Sequence, residues 1–297
     1  MTGVEFVDVG KKMNHIGLRA FSQSARLKAA PRFTKTLSEA SKPPLQKPHV
    51  ILRPFGLEEA KLLNKKSFDI ASLNVRELLF DKELKEARQA QLDYEIKHSP
   101  FYESKSFTNT NGKIFTPPVS YFRNDKAKYF PDFVGNTLVN RNQQFSSLLS
   151  EHISIVRIYS TISGEKCADT YFKNATKNYL TKDYMEFQEE FPHSQIVDIN
   201  IPQNWLKGFF VKLSQGNIRK LVHSARHDKY FIVPTRVFPF DVKEALLCDN
   251  ACSGYIYIVD REGKIRWATS GYANDEEIKI MRKCLKGLEN EMLQSTE

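Results

Sequence analysis

The sequence predicts an α/β domain with a central mixed sheet over residues 117–295, and three observations carry that expectation. Short apolar runs of strand length, at 153–159 and 255–259, alternate with stretches of helical spacing, an order that sets helices over a sheet. The last two strand-like runs flank Asp260-Arg261-Glu262-Gly263, a hairpin signal that adds antiparallel members to the sheet. A closing helix at 275–293 follows, with Asn274 placed to cap it.

The elements follow in order. Residues 153–159 read as the first long strand and 165–178 as a helix. Residues 185–191 give a second helix, ended by Pro192, and 196–201 a second strand. Pro202 stands just outside a helix spanning 203–222. A strand at 230–233 leads into a loop holding Pro234 and Pro239, and 254–259 with 265–268 form the hairpin. Helix–strand alternation that closes on an antiparallel hairpin and a helix is the layout of a thioredoxin-like domain of peroxiredoxin type.

Ahead of that domain the chain divides by composition. Between Met13 and Glu39 no acidic residue occurs, while Arg19, Arg26, Lys28, Arg32 and Lys35 punctuate Ser, Ala and Leu. Arg-rich, Ser-rich and acid-poor is the composition of a mitochondrial transit peptide, assigned here to residues 1–35. Residues 36–56 carry Pro43, Pro44, Pro48 and Pro54 and read as a Pro-rich linker. Residues 57–116 form a helical N-terminal extension. Its centre, 77–97, alternates in charge, with Asp81–Lys85 and Lys82–Glu86 at i,i+4. The apolar stripe there is thin: Phe80, Leu84, Ala87 and Tyr94. A charged helix of this kind is either solvated or waiting for a partner. Asn109-Thr110-Asn111-Gly112 then marks a turn.

Charge narrows the function classes. Residues 1–54 hold 10 Lys and Arg against 3 Asp and Glu, whereas residues 55–297 hold 34 against 32. The folded body is near neutral, so a nucleic-acid partner is not expected. No run approaches the ~18–20 apolar residues of a membrane-spanning helix, so membrane contact would be peripheral.

Four cysteines, Cys167, Cys248, Cys252 and Cys284, form no C-x-x-C, a usage that suggests a reducing compartment. In thioredoxin-like enzymes the reactive thiol sits at the N-terminus of the helix after the first long strand, where the dipole and free amides lower its pKa. Here that ground is held by Ser160 and Ser163, with Cys167 a turn or more inside the helix. The proline usual before the hairpin is replaced by Cys252-Ser253-Gly254. Cys248 and Cys252 with His223 and His227 make a loose, weak zinc pattern, and no metal or cofactor is assigned. The candidate partner surface is the stripe Trp205, Leu206, Phe209, Phe210 and Leu213, edged by Lys207 and Lys212. Such a stripe suits a lipid headgroup surface or an apolar partner, although a helix packed on its own sheet shows the same pattern.

Three stretches together resemble a known family. The first is Gly112-Lys113-Ile114-Phe115-Thr116-Pro117-Pro118, then Phe122-Arg123-Asn124-Asp125-Lys126-Ala127 running into Tyr129-Phe130-Pro131-Asp132-Phe133. The second is Asn204-Trp205-Leu206 with Val211-Lys212. The third is Gly254-Tyr255-Ile256-Tyr257-Ile258-Val259-Asp260, then Gly263-Lys264-Ile265-Arg266-Trp267-Ala268 and Gly271. In combination, over roughly residues 50 to 290, they are similar to the mitochondrial ATP synthase assembly factors called the "ATPase complex subunit ten" family, in its fungal form.

The resemblance implies a chaperone on the matrix side of the inner membrane, peripherally held, that acts on newly made subunit 6 (subunit a) of the proton-translocating sector. It carries over no catalytic residue and no cofactor, so an enzyme is not expected. The residues weighed for the partner are Trp205, Phe209, Phe210, Lys212 and Leu213, with Phe80, Leu84 and Tyr94 of the charged helix. The competing expectation is a peroxiredoxin-like thiol redox enzyme using Cys167.

Overall fold

The computed structural model describes residues 47–65, 100–203, 208, 211 and 215–294. The transit peptide predicted for 1–35 and the charged helix at 77–97 lie outside the described residues.

In chain order the elements are β1 (His49–Val50), α1 (Pro100–Thr110), β2 (Phe115–Thr116), β3 (Val134–Thr137), β4 (Gln143–Gln144), β5 (Ile153–Tyr159) and α2 (Ile162–Asp169). There follow α3 (Tyr184–Glu190), β6 (Ser194–Asn200), α4 (Gln215–Leu221), β7 (Tyr230–Ile232), α5 (Phe240–Ala245), β8 (Tyr255–Val259), β9 (Ile265–Ser270) and α6 (Asp275–Gln294). The main sheet has seven strands in the order β4-β3-β7-β6-β5-β8-β9. β5, β6 and β7 run parallel, and β3, β8 and the ends of the sheet are antiparallel to their neighbours. The order β6-β5-β8-β9, with a helix after β5 and another after β9, is the thioredoxin-like core; the mixed sheet is as the sequence predicts.

β5 and β8 are buried along their whole length, as sheet centres covered on both faces are. Pleating sends alternate side chains into two cores. One holds Phe130, Phe133, Phe145, Phe231, Phe238 and Tyr257. There Phe133 stacks on Phe145 at 5.3 Å and meets Phe231 and Phe238 edge-on. The other holds Trp267, Tyr184, Phe187 and Phe191 under Met281, Cys284, Leu285 and Leu288 of α6. Each such side chain contributes roughly 1.5–3 kcal/mol on burial.

Two elements differ from expectation, α2 at both its ends and α5 in its existence. α2 begins at Ile162 rather than 165, because Thr161 caps it: its Oγ1 accepts from Gly164 N. α2 also stops at Asp169 instead of reaching 178. The Asn174 carboxamide oxygen accepts from the backbone of Thr176 and Lys177, an Asx turn that outcompetes the helix. α5 lies where a loop was expected; Pro239 sits just outside its start, so the proline launches the helix.

Residues 47–63 lie against the body. β1 pairs in parallel with β2, Ile51 is buried, and the backbone of Leu57 exchanges both hydrogen bonds with Tyr129. Residues 114–130 in turn line the outer side of β9. Phe122 N donates to Arg266 O, Ile265 N to Lys128 O, and Phe130 N to Gly263 O, at 2.7 to 2.8 Å. Trp267 Nε1 donates to Pro118 O at 3.0 Å. The last strand therefore presents no bare edge here.

Candidate functional site at the carboxyl end of the sheet

In open α/β sheets, ligands meet the protein outside the carboxyl ends of the parallel strands. In this chain that end is formed by residues 160–164 after β5, 201–203 after β6, and the loop 249–254. The loop belongs there because β8 runs antiparallel to β5, with Ile158 opposite Tyr255.

The start of α2 is fastened to the loop by hydroxyls. Thr161 Oγ1 donates to Ala251 O at 2.9 Å, and Ser163 Oγ to Cys252 O at 2.8 Å. Backbones also touch: a Cβ on Gly254 would stand 2.0 Å from Gly164 O, and one on Gly164 would stand 2.5 Å from Ser253 O. The approach needs no cis peptide, and none occurs among the described residues.

Cys167 lies inside α2 and is fully buried. Burial pushes its thiol up to about 11, against smaller lowering effects from the Gly254 amide, the Tyr272 hydroxyl and Lys113. Gly112 packs against the sulfur: an added Cβ would stand 3.2 Å from Sγ and 2.9 Å from the Phe107 ring. A thiol of this kind is neither ionised nor reachable, the opposite of what nucleophilic cysteine chemistry needs.

α1 covers the loop from outside. Asn250 Nδ2 donates to Glu103 O at 3.1 Å, and Ser253 Oγ donates to Gly112 O at 2.6 Å just past the helix. The Glu103 carboxyl is raised to about 7, mainly by burial; Asp249 adds to the rise, while the Ala251 amide and Lys243 oppose it.

Beneath α2 runs a buried ion network that the sequence analysis missed. Arg157 on β5 sits opposite Asp198 on β6 and donates to its carboxylate. Arg226 donates to the second Asp198 oxygen and, at 2.7 Å, to Leu180 O. Arg157 also reaches Asp169 at the end of α2. Burial works against the Arg157 charge, but Asp198 and then Asp169 outweigh it and hold the guanidinium above its ordinary value. Aromatic rings complete the walls: Tyr159 and Phe172 lie about Arg157, and Tyr184 about Arg226, at 5.5 to 5.7 Å. The available signal was one lone charge in each of two apolar runs, Arg157 in Ile153–Tyr159 and Asp198 in Ser194–Asn200, of opposite sign.

The sequence-derived site residues do not fall in this geometry. Trp205, Phe209, Phe210, Lys212, Leu213, Phe80, Leu84 and Tyr94 all lie outside the described residues. The weak zinc pattern is not assembled. His223 caps a turn by accepting from Ala225 N, His227 Nε2 meets the carbonyls of Arg219 and Val222, and Cys248 is buried near Tyr257. Among the described residues no group of three His, Cys, Asp or Glu is placed to hold a metal ion. No helix among them is long and apolar enough to cross a membrane.

Sheet order, flanking helices and a hydroxyl-bearing helix start over a buried thiol define a thioredoxin-like protein whose usual thiol position carries none. The family model described as ATP10 protein matches residues 35–288, and the chain belongs to that family. The "Mitochondrial ATPase complex subunit ATP10" of Eremothecium gossypii is 35% identical over 72% of this chain and 76% of its own. That of Saccharomyces cerevisiae is 32% identical over 89% of this chain and 95% of its own. Among solved structures, a secreted thiol-disulfide isomerase from Corynebacterium glutamicum aligns at a TM-score of 0.38 with 12% identity, over 58% of this chain and 92% of that one.

Proposed function

We propose that this protein is a mitochondrial, non-catalytic assembly factor for the membrane sector of ATP synthase. Its client is newly made subunit 6, met on the matrix side of the inner membrane by peripheral contact. The observation that carries the reading is membership of the ATP10 family along nearly the whole body, residues 35–288, shared with relatives named as mitochondrial ATPase complex subunits. The geometry at Cys167 supports a non-catalytic role, since the side chain is fully buried and burial raises the thiol to about 11. A very apolar client must be kept from mispairing its intramembrane polar groups until its partners arrive. An aromatic stripe such as Trp205, Phe209, Phe210 and Leu213 suits that shielding.

The test is deletion of the gene, followed by native gels and ATPase assays. Loss of the proton-coupled complex and of stable subunit 6, with the soluble catalytic sector still hydrolysing ATP, is expected. A normal complex in cells sensitive to peroxide would overturn the proposal in favour of Cys167 chemistry. Phe209→Ser with Phe210→Ser, in a folded protein, is expected to weaken client co-purification; unchanged co-purification removes the stripe from the mechanism.

A further inference from the structure

Three segments far apart in sequence meet around the outer side of β9. Residues 49–51 bond to 114–116, and Tyr121 lies against α6, where a Cβ on Gly287 would stand 2.7 Å from its ring. The stretches that meet, 47–57, 112–124 and 278–288, hold eight Lys and Arg and no Asp or Glu. A body of near-neutral total charge therefore carries one basic flank. Five of the eight cations pair with carboxylates from outside these stretches. Lys47, Arg53 and Lys283 enter no ion pair among the described residues. Apolar side chains project from the same flank. Ile51 is buried, while its neighbours Val50 and Leu52 are 55% and 82% exposed. Continuing the β1–β2 register sets Leu52 level with Pro118, and Val119 comes next, 83% exposed. Leu52 and Val119 are the most exposed large apolar side chains among the described residues. One such residue alone is ordinary on a surface; neighbouring ones ringed by uncompensated cations mark a contact.

We propose that this flank is a lipid-docking face: Val50, Leu52 and Val119 enter the headgroup region of an anionic bilayer, and Lys47, Arg53 and Lys283 meet its phosphates. The charge is complementary, since an anionic leaflet attracts cations held at its surface. The shape agrees as well. Protruding side chains suit a surface that yields around them, whereas a folded partner would need pits to receive them. Strand addition at the bare side of β1 is blunted by Pro48 and Pro54, which bracket it. Each cation near such a surface is worth about fivefold in binding, so the three together are worth on the order of 100-fold. The inference rests on the peripheral membrane contact proposed above and names the face that makes it; subunit 6 plays no part in it.

The test uses the full chain with Val119→Trp and phosphatidylcholine vesicles whose acyl chains carry bromine, with or without about one-fifth cardiolipin. The acid-poor N-terminus brings its own cations to such vesicles, so quenching at position 119 is read alongside flotation. Fluorescence there is expected to shift to the blue and to be quenched on the cardiolipin vesicles only. Adding Lys47→Gln, Arg53→Gln and Lys283→Gln together should raise the vesicle concentration for half-quenching on the order of 100-fold. Adding Leu52→Ser alone should raise it about tenfold. Protein that floats with the vesicles while position 119 stays unquenched would overturn this face and leave the membrane contact standing. Quenching that is equal without cardiolipin, or unmoved by the three Gln changes, would do the same. A chain that floats with neither vesicle would overturn the contact as well. A blue shift that grows with protein concentration and needs no vesicle would assign the flank to a second copy instead.

Discussion

Removing the shared anion of the buried network should be the most damaging isosteric change in the domain. Asp198→Asn keeps shape and volume but leaves Arg157 and Arg226, both almost wholly buried, facing a neutral amide. Each guanidinium loses a charge-assisted bond to Asp198, worth about 1.5–3 kcal/mol. Arg157 keeps Asp169 and Arg226 keeps Leu180 O, so the loss is partial. Breaking a buried pair from one side costs about 3–5 kcal/mol, and that range is expected here. For a domain of this size it corresponds to a fall in Tm on the order of 10 °C. The assay is urea unfolding followed by far-UV circular dichroism, run as a cycle with Arg226→Met. The double variant leaves the Arg157–Asp169 pair standing with one fewer unmatched cation, so it should be less damaged than the sum of the singles by about 1–3 kcal/mol. Strict additivity, or an Asp198→Asn loss under about 1 kcal/mol, would refute the view that Asp198 neutralises both arginines.

Two further outcomes follow from the carboxyl end of the sheet. Gly254→Ala should cost about 3 kcal/mol or more, because the new Cβ meets the backbone of α2 at 2.0 Å and backbone cannot rotate aside; urea unfolding checks it, and a loss below about 1 kcal/mol would mean α2 shifts freely. Thiol labelling of the native protein at pH 8 should modify Cys252, which is half-buried, and spare Cys167, Cys248 and Cys284; burial raises these three to about 11, 12 and 11. Peptide mapping by mass spectrometry reads that pattern, and rapid native labelling of Cys167 would contradict its burial.

Much of the domain's order was legible because apolar runs and punctuation agreed. The residues of β5, the Asp260–Gly263 turn and the Asn274-capped α6 are set by local signals that tertiary packing reinforces. The short elements were not legible. β1, β2 and β4 are two residues each, too brief for any period, and exist through pairing partners far along the chain. Proline-rich composition likewise gave no sign that Ile51 is buried. At the carboxyl end, the displaced cysteine could be read directly from spacing. The docking of α1 could not, because nothing in the sequence around Glu103 signals that Asn250, 147 positions away, will donate to its carbonyl.

The flank that lines β9 ties early chain to late chain. Arg266 donates to Phe122 O across 144 positions, so the last strand and its cover are separated by half the protein. Residues 114–130 can pair with 49–57 early, but they lack their inner wall until β9 exists, and β9 stays bare until they close on it. Such long-range closure slows folding, and it also makes the product hard to take apart from one end. A chain truncated before Ile265 would lose more than a hairpin, since its first ordered segments would be left without a wall to lie on. Cellular proteases should therefore see such fragments as unfinished from both ends, and clear them whole.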